Sequence, residues 1–182
     1  VLGFPRTEYA LLNQMERDFA PYLKLWVMCQ DFSDSKVEWM NGPLLRLDYV
    51  DIEKQVSDWW RTSYKLSKQF AEDCPECSEV ALFLRAGTDD FKAYLPMIQA
   101  LSSDALRVRH WAKLSEDLSA STGKEVDLDG SDDMTLHGLV EAELLDQMET
   151  IQMTSVAAEK EYSLEKALQA MQREWEEMSF EY

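Results

Sequence analysis

Apolar positions recur at helical spacing along almost the whole chain. Leu12, Met15, Phe19, Tyr22 and Trp26 step by 3, 4, 3 and 4, which predicts one face of a helix capped by Thr7. Pro21 falls inside this run and costs about 3 kcal/mol in a helix interior, so a kink is expected there and not an end. The pattern continues through Cys29 and Phe32 to Val37 and Met40, then stops at Asn41-Gly42-Pro43. A second helix, capped by Asp48, carries Ile52, Val56, Trp59, Leu66 and Phe70 on its inner face, widened by Trp60 and Tyr64. A third begins near Glu76 with Val80, Leu84, Phe91 and Leu95 in register. Gly87 weakens it by about 1 kcal/mol relative to Ala, and Pro96 makes the chain bend or restart.

The stretch LRVRHW at 106–111 opens the next helix, with Ser103 or Asp104 as cap. At 100° per residue, Leu106, His110, Trp111, Leu114 and Leu118 share one side and Arg109, Lys113 and Glu116 the other. Arg107 lies on the apolar side, so the two arginines are expected to diverge. Residues 119–134, SASTGKEVDLDGSDDM, read as the one clear loop. Thr135 then caps a helix carrying Leu136, Val140, Leu144, Met148 and Ile151. A last pattern holds Leu164, Leu168, Met171, Trp175 and Met178, and periodicity does not say whether 157–163 joins or breaks these two. The fold class expected is all-α, an elongated array of long packed helices, with a strand beginning at Phe180 as the one β element. As domains, 1–182 reads as a single helical fragment with subunits 1–118 and 135–182 joined by the acidic loop 119–134.

Composition removes several functions. Over 182 residues, Lys+Arg number 18 against Asp+Glu 35, a net charge of −17. That balance excludes a nucleic-acid binder, which needs a basic stripe to displace counterions, and disfavours anionic membranes. No apolar run approaches the roughly 18 residues of a membrane span. Three cysteines fit a reducing compartment, with the cytoplasm as the expected location. The start at Val1 and the end at SFEY lead us to expect a piece of a longer chain.

Four motifs carry candidate chemistry. STGKE at 121–125 holds the Gly-Lys of a phosphate loop, but Leu118 stands where a second Gly belongs and Glu125 where Ser or Thr would bind magnesium. Glu125, Asp127, Asp129, Gly130 and Asp133 imitate half a calcium loop, yet Leu136 replaces its bidentate Glu. Cys74-Pro75-Glu76-Cys77 has redox or zinc spacing without the strand context or the further ligands, so two thiols near a helix start are expected. His110, between Arg109 and Trp111, lacks a nominated nucleophile, so a core histidine bonded to a neighbouring helix is expected. No catalytic, cofactor-binding or metal residue is nominated.

The spaced motifs YLKLW (22–26), EWMNGPLLRLD (38–48), DWW (58–60), FKAYLPMIQAL (91–101), ALRVRHWAKL (105–114), DMTLHGLVEAEL (133–144) and EKEYSLEKALQAMQREW (159–175) together resemble the first part of the linker region of dynein heavy chains, of the axonemal kind. The cysteine pair and the acidic loop fall outside that pattern. The resemblance implies a non-catalytic lever that bends and straightens over a ring of AAA+ ATPase modules to deliver a power stroke along microtubules. Its implied structural residues are Trp26, Trp39, Gly42, Pro43, Trp59, Pro96, Arg109, His110, Trp111, Glu161, Leu164, Glu165 and Trp175. Implied partners are the ring and tail of the same heavy chain, with microtubules reached only through the parent motor. ATP and magnesium belong to that parent, an ATPase of the cytoskeleton in cilia or flagella. Two other readings stay open, a static spectrin-like scaffold and a calcium-responsive module.

Overall fold

A computed structural model describes residues 9–178. The cap expected at Thr7 and the strand expected at Phe180 lie outside the described residues. Within them the chain is all-α, as the periodicity predicts. Seven helices run in order: α1 (Ala10–Asn41), α2 (Tyr49–Asp73), α3 (Pro75–Lys92), α4 (Leu95–Leu101), α5 (Val108–Thr122), α6 (Leu136–Glu141) and α7 (Met148–Glu177). Short 3-10 turns sit at Leu44–Arg46 and Leu144–Gln147. The only β pairing among the described residues is an isolated antiparallel bridge between Pro43 and Thr135.

The chain groups into two compact units, Val1–Ser35 with Lys54–Phe91, and Lys36–Glu53 with Lys92–Tyr182. The acidic loop 119–134 lies wholly within the second unit.

In the first unit α1 continues unbroken through Pro21. Its buried stripe is Leu25, Met28 and Phe32, not the face expected from Leu12, Met15, Phe19 and Trp26, all of which are exposed, Trp26 at 57%. Tyr22, half-buried, meets Phe70 of α2 with ring centroids 4.7 Å apart. Phe32 stands edge-on to Trp59 at 5.7 Å. A Cβ on Gly87 would come 3.2 Å from the Phe32 ring, which accounts for a glycine inside α3. Val56, Leu66 and Phe70 are buried as predicted. Trp60 and Tyr64 do not widen that core face; they receive the Arg85 guanidinium at 4.4 and 4.5 Å, a cation–π arrangement.

In the second unit Asp48 caps α2, its Oδ1 accepting from Val50 N–H at 2.9 Å and Asp51 N–H at 3.2 Å. α4 and α5 both pack on α7, with Ile98, Leu101, Leu114, Leu118, Leu144 and Ile151 fully buried. Pro96 stands in the first turn of α4, where its missing N–H costs nothing. Neither Ser103 nor Asp104 caps α5, because the helix starts later, behind Arg107. It also runs longer than expected, converting 119–122 from loop to helix and ending at Gly123 with φ 68°. Thr135 does cap α6, its Oγ1 accepting from Gly138 N–H at 3.2 Å. The helix expected to run on through Leu144 is interrupted at Glu143, whose φ of 58° is left-handed. α7 then crosses 157–163 without a break.

Candidate functional site: the clasp of α5 on α7

Arg107 precedes α5 in an extended conformation, φ −108° and ψ 164°. His110, three residues on, folds back so that its Nδ1 accepts the Arg107 backbone N–H at 3.0 Å. This satisfies one of the amides that a helix start leaves unpaired. With Nδ1 accepting, the proton of the neutral ring sits on Nε2, which lies 3.1 Å from Glu161 Oε2 on α7. The His110 ring is buried, at 7% exposure. Its inward position and its bond to a neighbouring helix are as expected.

The arginines depart from expectation. Arg109 donates to Glu161 Oε2 from Nη2 at 2.5 Å and from Nε at 3.2 Å. Arg107 donates to Glu165 Oε2 at 3.4 Å, its guanidinium 5.6 Å from the Tyr162 ring centre. Both therefore converge on acids one turn apart on α7. Hydrogen bonds from Arg109, and next from His110, hold the Glu161 carboxyl below its ordinary range. Sequence placed the Cα directions correctly, but a guanidinium on a long stem reaches around the helix.

Below this pair a groove of about 660 Å³ runs along α5 and α7 past Lys113, Asp117, Thr154 and Ala157. The Thr154 hydroxyl is spent on the Thr150 carbonyl at 3.1 Å, and both nitrogens of His110 are engaged. At the head of the groove Arg109, His110 and Glu161 bind helix to helix.

Trp111, beside His110, is buried. A Cβ on Gly130 would fall 2.6 Å from Trp111 Nε1, and Gly130 has φ 68°. Only glycine meets both demands. Ser115 and Ser119, one turn apart on α5, accept from the loop amides of Leu128 and Val126 at 2.9 and 3.0 Å. These serines were missed from sequence, although their i, i+4 spacing beside the loop is a readable signal. The loop is thus stitched onto α5, with Leu128 buried beneath it.

The other nominated motifs resolve plainly. Gly123-Lys124 is the end of α5, and Lys124 Nζ pairs with Glu143 at 2.6 Å. Asp129 accepts from Ser131 N–H at 2.9 Å; the Ser131 hydroxyl, and next this amide, lower its carboxyl, and Asp132 pairs with Arg46. Among the described residues no three His, Cys, Asp or Glu side chains converge as a metal site. Among the described residues no helix is long and apolar enough to cross a membrane. Cys74 and Cys77 are joined as a disulfide, not left as two thiols. Of the remaining motif residues, Trp39 is buried and Trp59 half-buried. Gly42 is required where a Cβ would meet Glu38 O at 2.7 Å, and Pro43 forms the bridge to Thr135. Leu164 and Trp175, the latter at 65% exposure, lie open on α7, so the stripe expected to be packed there is not covered by the described residues.

Comparison with known proteins matches residues 12–182 to the family described as "Dynein heavy chain, N-terminal region 2". The chain is 37% identical over 180 residues to dynein axonemal heavy chain 1 of Homo sapiens and to that of Rattus norvegicus. It is 32% identical over 177 residues to dynein axonemal heavy chain 3 of Homo sapiens. The alignments cover 99% and 97% of this chain but only 4% of each relative's length. No solved structure matches.

Proposed function

Since the chain belongs to the axonemal dynein heavy chain family, in its N-terminal region, we propose that it forms the first part of the linker, a non-catalytic lever of an ATP-driven motor. It bends and straightens over the AAA+ ring of the same heavy chain and passes the stroke between ring and tail. Nucleotide and magnesium belong to ring modules elsewhere in that chain, and microtubules are engaged through the parent motor in the axoneme of a cilium or flagellum.

The observation that carries this reading is the clasp. Arg107, Arg109, His110, Glu161 and Glu165 are spent on tying α5 to the middle of a 30-residue helix, α7. A force-bearing element needs its helices joined side to side, because an unjoined helix opens locally before it transmits load. The test is Glu161→Ala in the full-length motor, which removes the carboxylate shared by Arg109 and His110. Gliding velocity is expected to fall several-fold while basal ATPase persists. Equal loss of both, or of neither, contradicts a transmitting role. A static scaffold is the second reading, favoured by the apolar stripe left open at Leu164, Leu168, Met171 and Trp175.

A further inference from the structure

Cys74-Pro75-Glu76-Cys77 spans the junction of α2 and α3, and the Cα atoms of the joined cysteines are 5.3 Å apart. That separation suits a disulfide without backbone movement. The junction is held independently of the sulfurs. Cys74 N–H donates to Phe70 O at 2.9 Å, Cys74 O accepts from Ser78 N–H at 3.0 Å, and Ser78 Oγ donates to Ser67 O at 2.9 Å. The two sulfurs are therefore within reach of each other whichever state they are in.

Cys74 immediately precedes α3, an 18-residue helix, whose first amides have no partner within the helix. Their partial positive charge favours a thiolate there. The Glu76 carboxylate, 4.0 Å from Cys74 Sγ, works in the opposite direction. Both cysteines are half-buried, so neither is sealed in the core. The third cysteine, Cys29, sits in α1, and burial pushes its thiol up, which leaves it protonated and slow to react.

We propose that Cys74 and Cys77 form a reversible dithiol–disulfide site that exchanges with a small-molecule disulfide of the glutathione class. In oxidation, the Cys74 thiolate attacks one sulfur of the small disulfide, whose S–S bond breaks and releases one thiolate. The Cys77 thiolate then attacks the Cys74 sulfur and expels the second. The cysteines lose two electrons, the small disulfide gains them, and the two cysteine protons end on the released thiols. Reduction is the reverse. The ring closed by the bond encloses only Pro75 and Glu76, so its constraint falls on the α2–α3 turn and not on the whole unit. The proposal does not depend on the mechanical reading.

The test uses the full-length heavy chain, equilibrated in glutathione buffers from fully reducing to fully oxidising, acid-quenched, denatured and alkylated for peptide mass spectrometry. Cys74 and Cys77 are expected to lose alkylation together while Cys29 keeps it. With Cys77→Ser, Cys74 is expected to carry a single glutathione adduct. A pair still alkylated at the oxidising limit, a pair still closed at the reducing limit, pairing with Cys29, or no adduct in the Cys77→Ser chain would each overturn the proposal.

Discussion

His110 and Glu161, 51 residues apart in sequence, meet with Nε2 3.1 Å from Oε2. Because the other ring nitrogen caps the start of α5, one side chain sets where that helix begins and where it lies on α7. Arg109 reaches the same carboxylate oxygen, so Glu161 is the shared anchor.

Glu161→Gln should therefore weaken the 182-residue chain in a pH-dependent way. The Glu161 carboxyl is held below its ordinary range by Arg109 and then His110. A depressed folded pKa gives stability that is present above the unfolded value and lost as pH falls through the folded one. Urea midpoints of wild type and variant are expected to differ near neutral pH and to converge as pH falls from about 4.3, the unfolded value, through the lower folded one. A gap that persisted in acid would assign the effect to shape and not to charge.

His110→Ala removes both the cap and the tie to Glu161, and an expected loss of about 2 kcal/mol follows. His110→Asn keeps an acceptor for the Arg107 amide and should recover about half of it. Chemical denaturation checks both; equal losses would mean the cap contributes nothing.

Gly130 and Gly123 share φ 68°, but only Gly130 faces Trp111. Gly123→Ala should cost about 1 kcal/mol, the strain of a left-handed non-glycine residue. Gly130→Ala adds a clash with a buried indole and should cost about 2–4 kcal/mol. Thermal melts of the two variants, with Trp fluorescence reporting the indole, test the difference.

The helical class, the α2 face, the caps at Asp48 and Thr135 and the inward His110 and Trp111 were all legible in the sequence. Each depends on spacing or on a local hydrogen bond, which neighbouring residues determine. The α1 face was not legible. Leu11, Leu12, Met15, Leu23, Leu25, Trp26, Val27 and Met28 spread apolar character over more than one side, so periodicity offers two stripes and only tertiary packing selects Leu25, Met28 and Phe32. The break at Glu143 is a backbone choice that no glycine or proline announces. The arginine convergence depended on α7, whose continuity through 157–163 the sequence left undecided.

Leu114→Ala should cost about 2–5 kcal/mol, since that side chain is fully buried. Leu168→Ala, on the open stripe, should stay within about 0.5 kcal/mol in the 182-residue chain. Calorimetry on the two variants checks this, and a large loss at Leu168 would mean that the stripe is covered in solution.

The most direct measurement is energy transfer in the full-length motor between a donor at Val108, an exposed position at the start of α5, and an acceptor on the first ATPase module. A lever predicts that transfer efficiency changes between the nucleotide-free and ATP-bound states and returns after turnover. The same efficiency in every nucleotide state would contradict it and leave the static scaffold.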